Sequence, residues 1–243
     1  MLGLPEDIRA CLFDLDGVLT QTAKVHQAAW KRTFDAFLRD QDPSAAEFSG
    51  DDYNRYVDGK PRKDGVRDFL ASRGIVLPEG SDDDPADAAT VAGVATRKNQ
   101  QVLAELEEHG VQVYEGSMRY LRAAKDAGLA TAVVTASANG EHVIGVAGFA
   151  DLIDARVDGL VAAAQGLRGK PAPDPFLAGA RALGMEPAQC AVYEDALSGV
   201  EAGRAGDFGF VVGVDRVGQA EALREHGADV VVQDLDELLE DGQ

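Results

Sequence analysis

Two aspartates near the amino terminus are spaced so that both carboxylates could serve one reaction centre. Asp14 and Asp16 follow a short apolar run that ends at Phe13, and Gly17 comes directly after them. Side chains two positions apart on a strand share a face, and a glycine at the strand end lets the chain turn both carboxylates into one pocket. Because close carboxylates repel each other, such a pair needs a cation or a shared proton. On its own, the same run also fits a solvent-exposed acidic turn.

Three later segments carry groups that suit phosphate and metal chemistry. A second apolar run ends in the hydroxyl group of Thr135, and a third ends in the carboxylates Glu194 and Asp195. Between them, Lys170 stands in a proline-rich turn ahead of a helical pattern. Together with the first aspartate pair, these groups predict a site for Mg²⁺ and a phosphoryl group.

The elements that must position these groups alternate between short apolar runs and helical patterns. The runs that predict buried strands are Ile8–Phe13, Leu129–Val134, Cys190–Tyr193, Phe208–Val214 and Asp229–Val232. The helical patterns are Ser117–Asp126, Gly140–Ala147, Asp174–Leu183, Leu197–Ala205 and Gln219–His226. This alternation predicts an α/β fold with a Rossmann-like, doubly wound parallel sheet. Ligands of such sheets bind beyond the carboxyl ends of the strands.

Residues 24–109 interrupt this alternation. Apolar residues recur there at helical spacing, and no part of the stretch alternates with period two. We therefore expect a core domain of residues 1–23 plus 110–243, and an inserted all-helical cap domain of residues 24–109 over the site. The acidic segment Pro78–Asp87 predicts a solvated loop between cap helices.

The composition excludes several classes of partner. The 243 residues include 23 Lys and Arg against 42 Asp and Glu, a formal net charge of −19 that argues against a nucleic-acid partner. No stretch approaches the ~20 apolar residues that span a bilayer, and no basic region precedes an apolar one at the amino terminus. We therefore expect a soluble, cytoplasmic protein with no membrane partner. The two cysteines, Cys11 and Cys190, lie in apolar runs and predict buried, reduced thiols.

The four chemical segments resemble the motifs of the haloacid dehalogenase superfamily of phosphotransferases in order, spacing and strand context. The helical insertion is similar to the cap that many members carry after the first motif. The resemblance implies that Asp14 is the nucleophile and Asp16 the general acid and base. It also implies that Thr135 binds the transferred phosphoryl group and that Lys170 neutralises charge beside the nucleophile.

The same resemblance implies a Mg²⁺ ion held by Asp14, the Asp16 carbonyl and Asp195, with Glu194 in or next to the metal shell. The dehalogenase branch is disfavoured because it lacks the second aspartate of the first motif and uses no Mg²⁺. A phosphoacceptor signalling module also combines aspartates, Mg²⁺, threonine and lysine, but it is much shorter and requires no helical insertion.

Within the superfamily, core and cap are similar to the β-phosphoglucomutase subfamily. His26 matches a residue assigned there to the hinge and cap closure, with an ordinary hinge-helix histidine as the alternative. Trp30 is a candidate substrate-binding residue that could serve as a platform for a sugar, but a place in the cap core is the favoured interpretation. Lys98 matches a cap lysine that points at the active site, although a charged stretch on a helix also fits a solvated face.

Two loops complete the implied substrate site. In the cap, Gly59 and Arg62 match by spacing the loop that reads the distal end of the sugar phosphate, where a guanidinium binds the non-transferring phosphate. The subfamily has a lysine where this chain has Asp58, and Lys60 is the candidate to replace it. In the core, the loop residues that match the subfamily are Ala136, Ser137 and Asn139.

The resemblance therefore implies a Mg²⁺-dependent enzyme of carbohydrate metabolism in the isomerase class, acting as a monomer on a small-molecule sugar phosphate. It would interconvert β-glucose 1-phosphate and glucose 6-phosphate through an aspartyl-phosphate and β-glucose 1,6-bisphosphate. A cation for a second phosphate favours such a mutase, because a mutase must bind a bisphosphate in two orientations. The alternative is a phosphoric monoester hydrolase of the same fold, a phosphatase acting on a small sugar phosphate, which the Asp58 departure leaves open.

Overall fold

Six parallel strands form the central sheet of a computed structural model that describes residues 2–239. The strands are β1 Ala10–Phe13, β2 Ala130–Val134, β3 Ala155–Val157, β4 Cys190–Glu194, β5 Phe210–Val214 and β6 Val230–Val232. Their order across the sheet is β3-β2-β1-β4-β5-β6. Every residue of β1 and β4 is buried, as expected for central strands that helices cover on both faces.

The described residues divide into two compact units. The first takes in the described parts of Met1–Gln21 and Val111–Gln243 and holds the sheet, whereas the second is Thr22–Gly110 and contains only helices and loops among its residues. The helices of the second unit are α1 Thr22–Gln41, α2 Gly50–Asp52 with a π-turn at Tyr53–Val57, α3 Arg62–Ser72 and α4 Val91–His109. Those of the first unit are α5 Glu115–Asp126, α6 Gly140–Ala147, α7 Gly159–Ala164, α8 Asp174–Ala182, α9 Leu197–Ala205 and α10 Ala220–Glu225.

Helix α8 packs closely on the centre of the sheet. A Cβ atom added at Gly179 of this helix would lie 2.9 Å from a methyl group of Val134 and 3.1 Å from one of Leu12, so only glycine permits this approach. Phe176 of the same helix is fully buried in the apolar core of the unit. The turn that precedes α8, which carries Lys170, is thereby held against the ends of β1 and β2.

The second unit has an aromatic core of its own. The Phe34 ring stacks on Trp30 at 4.9 Å between centroids and contacts Phe69 at 4.2 Å and Phe48 at 5.1 Å. Burying several aromatic rings supplies much of the free energy that holds a small helical unit together.

The predicted fold class is confirmed, with differences in detail. The prediction omitted β3, because this edge strand has three residues and carries the charged Arg156 at its middle. It also omitted α7, which has only six residues. The helical unit begins at Thr22 and ends at Gly110, rather than at residues 24 and 109. No helix within residues 2–239 is both long and apolar enough to cross a bilayer.

Candidate active site

The predicted core residues come together where the order of the strands reverses. From β1 the chain builds β2 and β3 on one side of the sheet, and later β4, β5 and β6 on the other. Asp14 follows β1, Thr135 follows the neighbouring β2, and Glu194 ends the other neighbour, β4. The site therefore lies at the topological switch point of the sheet, where ligands of such folds bind.

Lys170 joins the ends of these three strands. Its Nζ atom lies 2.5 Å from Oδ1 of Asp14, 2.5 Å from Oε1 of Glu194 and 3.2 Å from the carbonyl oxygen of Val134. The ammonium also lies 4.8 Å from the centre of the Phe176 ring. Three acceptors and an aromatic face thus surround one buried ammonium group.

The charges of this cluster depend on one another. Burial raises the pKa of Asp14 well above its usual value, Lys170 opposes that rise, and Glu194 and Asp16 add to it. Burial alone would lower the pKa of Lys170, but the carboxylates of Asp14 and Glu194 raise it above its usual value. Lys170 is therefore a protonated ammonium group that stabilises negative charge beside Asp14.

Glu194 holds Lys170 in place. Its Oε1 accepts the lysine hydrogen bond, and its Oε2 accepts a hydrogen bond from the Ala196 amide at 3.0 Å. A Cβ atom at Gly199 would lie 1.8 Å from Oε1, so α9 approaches the carboxylate as only a glycine allows. With both oxygens bound by the protein, the arrangement favours a place for Glu194 next to a metal rather than in contact with it.

The loop after β2 contacts the second aspartate. The Thr135 hydroxyl donates to Oδ2 of Asp16 at 3.2 Å and accepts from the Ser137 amide at 3.0 Å. The Ser137 hydroxyl in turn accepts from the Asn139 amide at 3.2 Å. Thr135 is buried, whereas Ala136, Ser137 and Asn139 are partly exposed, which leaves this loop accessible to a ligand.

The carboxylates of the site fit a divalent cation. Asp14, Glu194 and Asp195 are 6%, 0% and 9% exposed, so three acidic side chains are buried near one another at this edge of the sheet. Carboxylate and carbonyl oxygens are the ligands that Mg²⁺ prefers. Among residues 2–239, no three His, Cys, Asp or Glu side chains group as a metal cluster. The predicted ligand set needs no such group, because it combines the Asp14 and Asp195 carboxylates with the Asp16 carbonyl.

Three of the predicted cap residues meet within the helical unit. Nζ of Lys98 lies 2.8 Å from Nδ1 of His26 and 4.9 Å from the centre of the Trp30 ring, and the Lys98 side chain is buried. Trp30 itself lies in the aromatic core, which favours the cap-core interpretation of this residue over contact with a sugar.

The predicted cap loop lies on another part of the helical unit. Gly59 has a φ of 68°, a left-handed conformation that suits glycine, and Arg62 is the first residue of α3. Lys60 forms an ion pair with Asp68 at 2.7 Å. Lys60 was the candidate to replace the lysine that the subfamily has at the position of Asp58, but its ammonium group is engaged by Asp68.

Comparisons with known proteins identify the family of this chain. A family model described as haloacid dehalogenase-like hydrolase matches residues 8–207. The chain belongs to this family. A Mycobacterium bovis protein named β-phosphoglucomutase is 53% identical over 98% of this chain and 94% of its own length. A Streptomyces hygroscopicus protein named validoxylamine A 7'-phosphate phosphatase is 28% identical over 95% of each chain.

A solved structure supports the same fold for this haloacid dehalogenase-like chain. The β-phosphoglucomutase structure from Clostridium difficile matches with a TM-score of 0.77 and 24% identity, covering 95% of this chain and 93% of the other. At that identity the likeness shows the fold alone. The β-phosphoglucomutase-like branch of the family is supported by the 53% identity to the Mycobacterium bovis relative.

Sequence reasoning missed two polar side chains of this haloacid dehalogenase-like site. Arg216 and Gln219 follow β5 and donate hydrogen bonds to the carbonyl groups of Gly17 and Asp195. Their position near this edge could be inferred, since β5 is a parallel strand of the same sheet, but their carbonyl partners could not.

Gly17 offers a direct test of the site. Its φ is 92°, and a Cβ atom there would lie 1.8 Å from Oδ2 of Asp195, so Gly17→Ala must displace that carboxylate. We expect the variant to lose about 1–3 kcal/mol of unfolding free energy from backbone strain. We also expect it to gain less stability from added Mg²⁺ than the wild type, as measured by urea unfolding with and without the ion.

The matched control is Gly145→Ala in α6, where a Cβ atom meets nothing within 4 Å. This change should stabilise the helix by roughly 0.5–1 kcal/mol and leave the Mg²⁺ effect unchanged. Equal Mg²⁺ stabilisation in wild type and Gly17→Ala would contradict the placement of the metal beside Asp195.

Proposed function

We propose that this chain is a Mg²⁺-dependent β-phosphoglucomutase that interconverts β-glucose 1-phosphate and glucose 6-phosphate through β-glucose 1,6-bisphosphate. The chemistry rests on Lys170, held between the carboxylates of Asp14 and Glu194. The choice of substrate is supported by the 53% identity, over nearly the whole chain, to a protein named β-phosphoglucomutase. The proposal includes action in the cytoplasm, as a monomer, on a small-molecule substrate.

In this proposal Asp14 is the nucleophile. One carboxylate oxygen is held by Lys170, which orients the group for attack on phosphorus and formation of an aspartyl-phosphate. Lys170 and the Thr135 hydroxyl stabilise the charge on the phosphoryl oxygens, an electrostatic contribution that needs no rearrangement during transfer. The covalent intermediate divides a difficult transfer into two easier steps.

Mg²⁺ would be held by Asp14, the Asp16 carbonyl and Asp195, with Glu194 alongside, and it supplies further positive charge to the phosphoryl oxygens. Within the chain itself, Lys170 already offsets part of the negative charge of these carboxylates.

Asp16 is proposed as the general acid and base. Its Oδ2 accepts the Thr135 hydrogen bond, so its carboxyl group lies beside the residue proposed to hold the phosphoryl group. From there it donates a proton to the leaving sugar oxygen in one half-reaction and removes one from the attacking hydroxyl in the other.

Arg62 is proposed to bind the phosphate that is not transferred. No carboxylate among residues 2–239 pairs with its guanidinium, whereas Lys63 and Arg67 on the same helix pair with acidic side chains. Partial burial lowers the pKa of Arg62, yet the group stays fully charged at neutral pH. It therefore retains donors for an anionic ligand, as a bisphosphate intermediate requires.

The phosphatase alternative depends on the cap loop that contains Asp58 and Lys60 and precedes Arg62. Asp58 stands where the subfamily has a lysine, and Lys60 is paired with Asp68. If the cap loop binds the non-transferring phosphate too weakly, water hydrolyses the aspartyl-phosphate before a sugar phosphate can accept the phosphoryl group.

Phosphorus NMR of the purified protein with Mg²⁺, β-glucose 1-phosphate and a trace of β-glucose 1,6-bisphosphate tests the proposal. We expect glucose 6-phosphate with little inorganic phosphate, because the sugar phosphate rather than water accepts the phosphoryl group. Asp14→Asn should abolish both the conversion and the phosphoenzyme, whereas the exposed control Asp151→Asn should retain them. Inorganic phosphate as the sole product would favour the phosphatase alternative. Phosphoryl transfer by the Asp14→Asn variant would rule out Asp14 as the nucleophile.

Replacing Arg62 separates a mutase from a phosphatase. We expect Arg62→Ala to lower kcat/KM for the mutase reaction at least about tenfold, the effect of losing a charge-assisted hydrogen bond. Hydrolysis of an aryl phosphate, which has no second phosphate, should change little. Lys63→Ala removes a neighbouring cation already paired with Asp82 and serves as control. Equal losses in both reactions would contradict the proposed role of Arg62.

Removal of divalent cations tests the metal. Dialysis against EDTA should reduce phosphoryl transfer to background, and Mg²⁺ should restore it, because Lys170 alone leaves the carboxylate cluster negative. The unfolding midpoint should rise on the same addition. Full activity in the presence of EDTA would refute the Mg²⁺ requirement.

A further inference from the structure

The loop after β5, residues 215–219, forms hydrogen bonds with both of the loops that carry the catalytic carboxylates. Nε of Arg216 donates a hydrogen bond to the carbonyl oxygen of Gly17 at 2.8 Å. Gly17 is the residue directly after Asp16. At the other end of the loop, Nε2 of Gln219 donates to the Asp195 carbonyl at 2.9 Å. One short segment thus contacts both the loop after β1 and the loop after β4.

This loop is itself well ordered by Asp215. Oδ1 of that residue accepts three backbone hydrogen bonds, at 3.2, 2.7 and 2.8 Å, from the amides of Val217, Gly218 and Gln219. A side chain that caps successive amides in this way fixes a turn. The two contacts at its ends are therefore made from a rigid support.

Arg216 is anchored on its far side as well. Its guanidinium donates to the Gln233 carbonyl at 2.5 Å, to Ser117 at 3.2 Å and to Asp234 at 3.3 Å, and it lies 3.5 Å from the centre of the Tyr114 ring. The side chain is only 13% exposed. Such a planar group with several donors is pre-organised to hold backbone carbonyls in fixed positions.

The turn that Arg216 holds is the one that orients Asp16. Within that turn, the Leu15 carbonyl accepts from the Leu19 and Thr20 amides, and the Gly17 amide donates to Thr20. The carbonyls of Gly17 and Val18 are instead bound by Arg216, at 2.8 and 3.3 Å. Loss of the guanidinium would release the carbonyl groups of Gly17 and Val18, in the turn that follows Asp16, while leaving the contacts of Asp14 with Lys170 in place.

We propose that Arg216 is a positioning residue for the acid and base Asp16, an inference that rests on the proposed function. Its removal should impair proton transfer to the leaving oxygen more than nucleophilic attack by Asp14.

The choice of phosphoryl donor separates these two steps. When Asp14 attacks a sugar phosphate, the P–O bond to the sugar breaks and the leaving oxygen takes a proton from Asp16. When it attacks acetyl phosphate, the bond to acetate breaks and acetate leaves as a stable anion that needs no proton. Acetyl phosphate therefore reports on the nucleophile, and β-glucose 1,6-bisphosphate reports on nucleophile and acid together.

The experiment measures single-turnover phosphorylation of Asp14 by each donor in wild type and Arg216→Ala. We expect the rate with β-glucose 1,6-bisphosphate to fall about tenfold, a part of the contribution of general acid catalysis, and the rate with acetyl phosphate to change less than twofold. Arg216→Lys keeps the charge but cannot reach several carbonyls at once, and it should show the same selective loss if the alanine variant does not fold.

The matched control is Arg204→Ala. Arg204 also binds a backbone carbonyl, that of Gly227, and an aspartate, Asp229, but its side chain is half exposed and contacts none of the catalytic residues. Both rates should be unchanged in this variant. Equal losses with the two donors in the Arg216 variants, or no loss with either, would overturn the inference. Failure of the wild type to accept a phosphoryl group from the bisphosphate would instead overturn the proposed function itself.

Discussion

The ion pairs of Lys170 are the interaction on which the site depends. Two buried carboxylates, Asp14 and Glu194, would repel each other at the ends of adjacent strands, and the lysine between them removes that repulsion. The same ammonium binds the last carbonyl of β2, so three strand ends share one cation. Close packing of α8 on the sheet through Gly179 holds the lysine turn where these contacts form.

Glycines at the rim of the cluster make room for this concentration of charge. Gly17 and Gly199 each leave space for a carboxylate, of Asp195 and Glu194 respectively, where any side chain would collide with it. The chain therefore brings its acidic groups close together through backbone geometry, and the loop after β5 supports the arrangement from outside. The net result is a buried, negatively charged cluster that Lys170 partly neutralises.

The sequence predicted that Asp14, Thr135 and Glu194 lie close together, because parallel strands that end in polar residues deliver them to one edge of the sheet. Arg216 and Gln219 escaped prediction for a physical reason: their partners are backbone carbonyls, which leave no trace in the sequence of the residues that carry them. The contact between Lys98 and His26 joins helices far apart in the chain, and only the family resemblance suggested those residues. The short edge strand β3 was missed because three residues carry too little periodicity to identify.

The division of the chain into two units also bears on how such an enzyme diversifies. Asp14, Thr135, Lys170 and Glu194 belong to the unit with the sheet, whereas Arg62 and Asp58 belong to Thr22–Gly110, which has a hydrophobic core of its own. Substitutions in the helical insertion can accumulate without disturbing the ion pairs at the strand ends. Selection for a new substrate can therefore act on one continuous stretch of the gene, the part that encodes the helical insertion, while the residues at the strand ends stay unchanged.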